Sequence, residues 1–156
     1  MSPTYRVFGL SDSEPSPAPL LENLRAHHPT LAGHFKGDDL GWLRVELVMA
    51  PHAPPIIVER FLASESDIRS QLNTWVAWLE TVEHPRRMSL IDQVVNTQQL
   101  FTLQLPDELQ GRQDARELAK TLCQYLAHAT HGIYQVDEFG FFSADGLLLV
   151  PETRLV

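Results

Sequence analysis

The chain has 156 residues, 44% of them hydrophobic and 21% charged, and its 20 acidic against 12 basic side chains give a net charge of −8. That length suits one domain, and the composition is that of a globular chain rather than a disordered one. The longest apolar run, Gly146 to Pro151, is far short of the roughly 20 residues that span a bilayer, and the negative balance disfavours nucleic acid and anionic membranes as partners.

In chain order, Thr4 to Leu10 alternates and predicts a short strand. Ser11 to Pro19 holds three prolines and three serines and reads as a connector, with Pro19 in the first turn of a helix that points Leu20, Leu21 and Leu24 inward and stops near Pro29. Leu31 to Gly41 is rich in Gly and Asp and reads as a loop. Trp42 to Met49 and Ile56 to Leu62 both alternate, on either side of a break containing Pro51, Pro54 and Pro55, which predicts an antiparallel pair. Ser64, with Asp67 three residues on, resembles a capping box. Ile68, Leu72, Trp75, Val76, Leu79 and Val82 then form one apolar stripe that Pro85 ends.

Ser89 to Val95 fits either a helical turn or a poor strand, and Gln98 to Leu105 fits a strand. Asp114 and Glu117 give a second capping signal, ahead of a long helix whose stripe is Leu118, Leu122, Tyr125, Leu126 and Ala129. Gly132 can close that helix in the left-handed conformation. Ile133 to Val136 is a strand, and Phe141-Phe142 leads through Asp145-Gly146, a favoured two-residue hairpin turn, into Leu147 to Val150. The expected fold is therefore α+β, one domain over residues 1–156 with a Ser/Pro-rich connector at 11–19. An antiparallel-rich or mixed sheet would carry the two main helices packed on one face. The expected core is Val45, Leu47, Ile57, Phe61, Leu72, Trp75, Leu79, Leu103, Leu118, Leu122 and Leu126.

No nucleophile elbow, phosphate loop, dinucleotide fingerprint or His-Glu-x-x-His motif is present. His27, His28 and His34 stand beside Asp38 and Asp39 in sequence, and these are ligand types for zinc or iron. Their spacing matches no named site, so solvated loop residues are the expected case. His128 and His131 suit the end of the last helix, where positive charge meets the helix dipole. Cys123, the one cysteine, lies mid-helix without a cationic neighbour, so packing outweighs nucleophilic work. It also forbids an internal disulfide. With no basic region followed by an apolar stretch in Met1 to Arg6, a cytoplasmic setting is expected. Trp78 lies on the flank of its helix stripe and is the candidate interface residue. Asp137, Glu138 and Asp145 fall at turns, where Asp is favoured for backbone reasons.

The last third offers a resemblance. A helix followed by Thr130-His131-Gly132-Ile133-Tyr134-Gln135-Val136-Asp137 and then Gly140-Phe141-Phe142-Ser143-Ala144-Asp145-Gly146-Leu147 resembles the closing segment of several small uncharacterised bacterial proteins. Some of those are similar to immunity proteins that bind and neutralise toxins. The resemblance covers about a quarter of the chain and carries no catalytic residue.

The reading that follows is a non-enzymatic protein-binding domain, immunity-like, with no cofactor and no catalytic residue assigned. Its expected partner is another, basic protein or a second copy of the chain. The alternative is a metal-assisted hydrolase, or another small-molecule enzyme or ligand-binding protein. The hydrolase needs His27, His28, His34 and Asp38 or Asp39 to converge, and ligand binding would be signalled by a pocket shared by Trp42, Trp78 and His52.

Overall fold

A computed structural model describes residues 3–65 and 67–152. The strands are β1 (Thr4–Gly9), β2 (Ala32–Asp38), β3 (Gly41–Val48), β4 (Ile56–Leu62), β5 (Gln99–Gln104), β6 (Ile133–Val136), β7 (Gly140–Phe142) and β8 (Leu148–Pro151). They form one sheet in the order β2-β3-β4-β5-β1-β6-β7-β8, and every neighbouring pair is antiparallel. The helices are α1 (Pro17–Arg25), α2 (Arg69–Glu80), α3 (Arg87–Val95) and α4 (Gln113–Ala129), so the fold is mixed α+β.

The two main helices, α2 and α4, pack on opposite faces of the sheet rather than on the one face that the sequence predicts. On the first face, Tyr5, Val7, Val45, Leu47, Val58 and Phe101 pack with Leu20 and Leu24 of α1 and with Leu118, Leu122 and Leu126 of α4. On the second, Phe8, Leu100, Ile133, Phe141 and Val150 pack with Leu72 and Leu79 of α2 and with Leu90 and Val94 of α3. The reason lies in β1 and β5. Val7 and Phe101 point one way and Phe8 and Leu100 the other, and strands apolar on both sides need cover on both sides.

Other differences have local causes. The segment read as a loop contains β2, an edge strand whose small residues hide any alternation and whose pairing with β3 is made by the backbone. The turn that joins them closes on Gly41 at φ 101, a conformation that suits glycine. Ser64 stands in a turn ahead of α2, which begins at Arg69; the Asp67 carboxylate accepts the Arg69 N–H at 3.2 Å. Ser89 to Val95 belongs to α3. In β4, Ile56, Val58 and Leu62 are the buried apolar residues, whereas Ile57 and Phe61, expected in the core, are half-buried like Trp75. The β7–β8 hairpin is wider than a two-residue turn, because Phe142 pairs with Leu148 and the Ser143 N–H bonds the Leu147 carbonyl.

The end of α4 is a Schellman motif. The Gly132 N–H bonds the Ala127 carbonyl at 2.8 Å and the His131 N–H bonds His128 at 3.4 Å. The left-handed residue is His131, at φ 57, rather than Gly132. Gly132 is required for another reason: a Cβ there would collide with the Phe8 carbonyl of β1.

The Ser/Pro connector is fastened from below. Arg60, 3% exposed, donates to the carbonyls of Leu40, Trp42 and Asp12 and to Gln99 Oε1. Gln99, fully buried, donates to the carbonyls of Ser11 and Ser13. Trp42 adds an indole hydrogen bond to the Pro15 carbonyl, and its own N–H is accepted by Glu14. Burial pushes the Arg60 pKa down, opposed by Glu14, Asp12 and Asp38.

Candidate functional site

Two side-chain rows cross the second face beyond the apolar rows that pack on α2 and α3, and Trp75 of α2 reaches the first of them at Arg6. In the first, strand register places Lys36, Arg44, Glu59, Thr102, Arg6 and Gln135 side by side from β2 to β6. In the second it places His34, Glu46, Ile57, Gln104 and Thr4 together. Apart from Ile57 these are polar or charged, so this half of the face needs no apolar cover. It lies open as a trough along β4. Three cavities of about 310, 320 and 470 Å³ follow one another there. Arg44 and Glu59 border the first two, and Ile57 and Gln104 the last two.

The trough has one structured wall. Arg6 reaches Asp137 at 2.6 Å and Gln135 Oε1 at 2.8 Å, and its guanidinium lies 4.8 Å from the Trp75 ring centre. Gln135 donates to Asp137 at 3.0 Å, and the Thr4 N–H reaches the other carboxylate oxygen at 3.1 Å. Burial would raise the Asp137 pKa, but the hydrogen bonds from Gln135, Thr4 and Arg6 outweigh it and hold the carboxyl below its ordinary value. This network fixes Arg6 in place.

At the opposite wall Lys36 pairs with Glu46 at 3.6 Å. Once Arg6–Asp137 and Lys36–Glu46 are matched, the charges left at the trough are Arg44 and the buried Arg60 against Glu59, with Asp38 and Glu65 at the hairpin end and Asp107 at the other. Leu40, 46% exposed, stands beside them.

The residues singled out from the sequence are dispersed. His27 and His28 lie in the turn after α1, and His34 lies in β2 opposite Glu46. Asp38 ends β2 and Asp39 lies in the turn that follows. His34 and Asp38 are four residues apart, roughly 13 Å along a strand. Among the described residues no three His, Cys, Asp or Glu side chains stand together as a metal site would require. Trp78 is half-buried and stacks on Phe141 at 5.9 Å. Trp42 packs in the first-face core and Trp78 against the second, while His52 is exposed in the β3–β4 turn, so these three share no pocket. Cys123 is buried in α4 and burial pushes its thiol pKa far up, which keeps it protonated at neutral pH. His128 pairs with Asp145 at 2.9 Å, joining the end of α4 to the β7–β8 loop.

The rows of the trough were missed because their members come from six strands, each unremarkable alone. Alternation in β3 and β4 was the available signal: Arg44, Glu46 and Glu59 had to share a face once the register was known. No described helix is long and apolar enough to cross a membrane. Compared with protein-family models, with curated proteins and with solved structures, the chain has no match.

Proposed function

We propose that the chain is a non-enzymatic binding domain that docks on a basic protein through the open half of its second sheet face. The observation that supports this most directly is the trough along β4, where internal ion pairing leaves Glu59, Asp38, Glu65 and Asp107 against Arg44 and Arg60. A polar, half-exposed surface with a few apolar points such as Leu40 resembles the surfaces of non-obligate complexes. Its residual negative charge, within a chain of −8, would steer a basic partner towards it. The immunity-like resemblance of the last quarter suggests one such class, toxins that attack nucleic acids, which are often basic. The edge of β2 suits docking or self-association less well, because a bulge between Lys36 and Gly37 interrupts it and Lys36 adds charge.

The test is affinity capture from the native cell, followed by titration of the isolated complex with salt. A basic partner should be recovered, and salt should weaken its binding. The double variant Glu59→Lys, Glu65→Lys should weaken it at least about tenfold. Glu22→Lys, exposed on α1, should leave it unchanged. Binding insensitive to the double variant, or turnover of a small molecule with no partner recovered, would overturn the proposal.

A further inference from the structure

The first face carries a separate groove of about 500 Å³ beneath the N-terminal half of α4, within the usual range for small-molecule sites. Its floor is aromatic and apolar: Tyr5 from β1, Tyr134 and Val136 from β6, and Phe142 from β7. The buried Tyr134 ring stacks face to face on Phe142, with ring centres 5.0 Å apart at 10°, which fixes the half-buried Phe142 ring in the groove. Phe139 stands at the mouth, 60% exposed, an unusual position for a ring that nothing covers.

The rim is charged in the opposite sense to the chain. Arg116 and Lys120 are four residues apart on α4, hence on one side of the helix, and both line the groove. Neither is in an ion pair among the described residues. Glu117 is the carboxylate at this rim, so the groove keeps a net positive mouth in a molecule of net charge −8. An apolar floor under unpaired cations is complementary to an amphipathic anion.

We infer that this groove binds a small aromatic carboxylate, its ring against Phe142 and Phe139 and its carboxylate between Arg116 and Lys120. This site is independent of the trough on the second face.

The probe is 2-naphthoate, titrated calorimetrically into the full chain at pH 7 and compared with uncharged 2-naphthalenemethanol. The acid should bind at least about tenfold more tightly than the alcohol, the size of one charge-assisted contact. Lys120→Gln should remove most of that preference, and Phe139→Ala should weaken both ligands. Both residues are exposed, and an unchanged thermal melt would show that the fold is intact. Equal affinity for acid and alcohol, a preference that survives Lys120→Gln, or no binding of 2-naphthoate would overturn the assignment.

Discussion

The second sheet face has two halves built on shared strands. At one end, Phe61, Leu100, Phe8 and Ile133 form a cross-strand row against α2 and α3. Two residues along each strand, the next row is Glu59, Thr102, Arg6 and Gln135; Trp75 of α2 reaches its Arg6 end, where Gln135 is buried, while Glu59 and Thr102 face the open trough. The pleat is common to both rows and only the side chains differ. Helix cover therefore extends past the apolar rows at Arg6, whose charge Asp137 matches, and ends before Glu59, whose charge sealing would remove from water without a partner. The open half is left open by its chemistry.

Substitutions can break this comparison. Phe8→Ala, in the covered row, should destabilise the fold by about 3–5 kcal/mol, the range for a buried Phe. Thr102→Ala, in the open row, should stay within about 1 kcal/mol. Guanidinium unfolding of both would settle it, and similar costs would mean that the open row is sealed in solution.

A second pair contrasts two arginines of neighbouring strands. Arg60→Met should cost about 2–4 kcal/mol, because the carbonyls of Leu40 and Trp42 and the Gln99 amide lose a buried partner. Arg44→Met, at the trough, should change stability by less than about 0.5 kcal/mol. The same unfolding measurements give both values.

Asp137 lies at the boundary of the two halves. Asp137→Asn should cost about 1 kcal/mol at neutral pH through weakened bonding to Arg6. Because the folded-state pKa is lowered, this contribution is fully present above roughly pH 4, the ordinary carboxylate value, and is lost as the pH falls through the folded-state value. The stability gap between the wild type and the variant should close in acid; a gap constant with pH would remove the ionised carboxylate from the account. Smallest of all, Glu59→Gln should leave the unfolding midpoint within error of the wild type while weakening partner binding, measured by titration of the captured complex.

How much of this was legible in the sequence follows from where each signal resides. The β3 and β4 strands and α4 could be read because their alternation and apolar stripe are local. The β2 strand could not, since Gly33 and Gly37 show no face and its pairing is a backbone matter. The placement of α2 opposite α4 depended on whether β1 and β5 were apolar on one side or both, a question decided by tertiary burial. The Arg60 pin could not be seen because its partners are largely backbone carbonyls far off in sequence, at the β2–β3 hairpin and in the connector. The groove under α4 combines Tyr5 with Tyr134 and Phe142, more than a hundred residues apart, and the resemblance in the last quarter covered only part of it.

The central place of β1 has a consequence in time. This strand is made some ninety residues ahead of β5, yet it sits between β5 and β6: Val7 pairs with Phe101 and with Tyr134. At roughly 5–20 residues per second, a ribosome needs on the order of 5–20 s to deliver β5, and longer to deliver β6. Throughout that interval Tyr5, Val7 and Phe8, all buried in the finished protein, have neither neighbour to pair with. Closing the sheet must await β5 and β6, so folding should be slow for a domain of this size, and a nascent chain stalled before residue 99 would present a sticky, unpaired β1 strand to whatever it meets first.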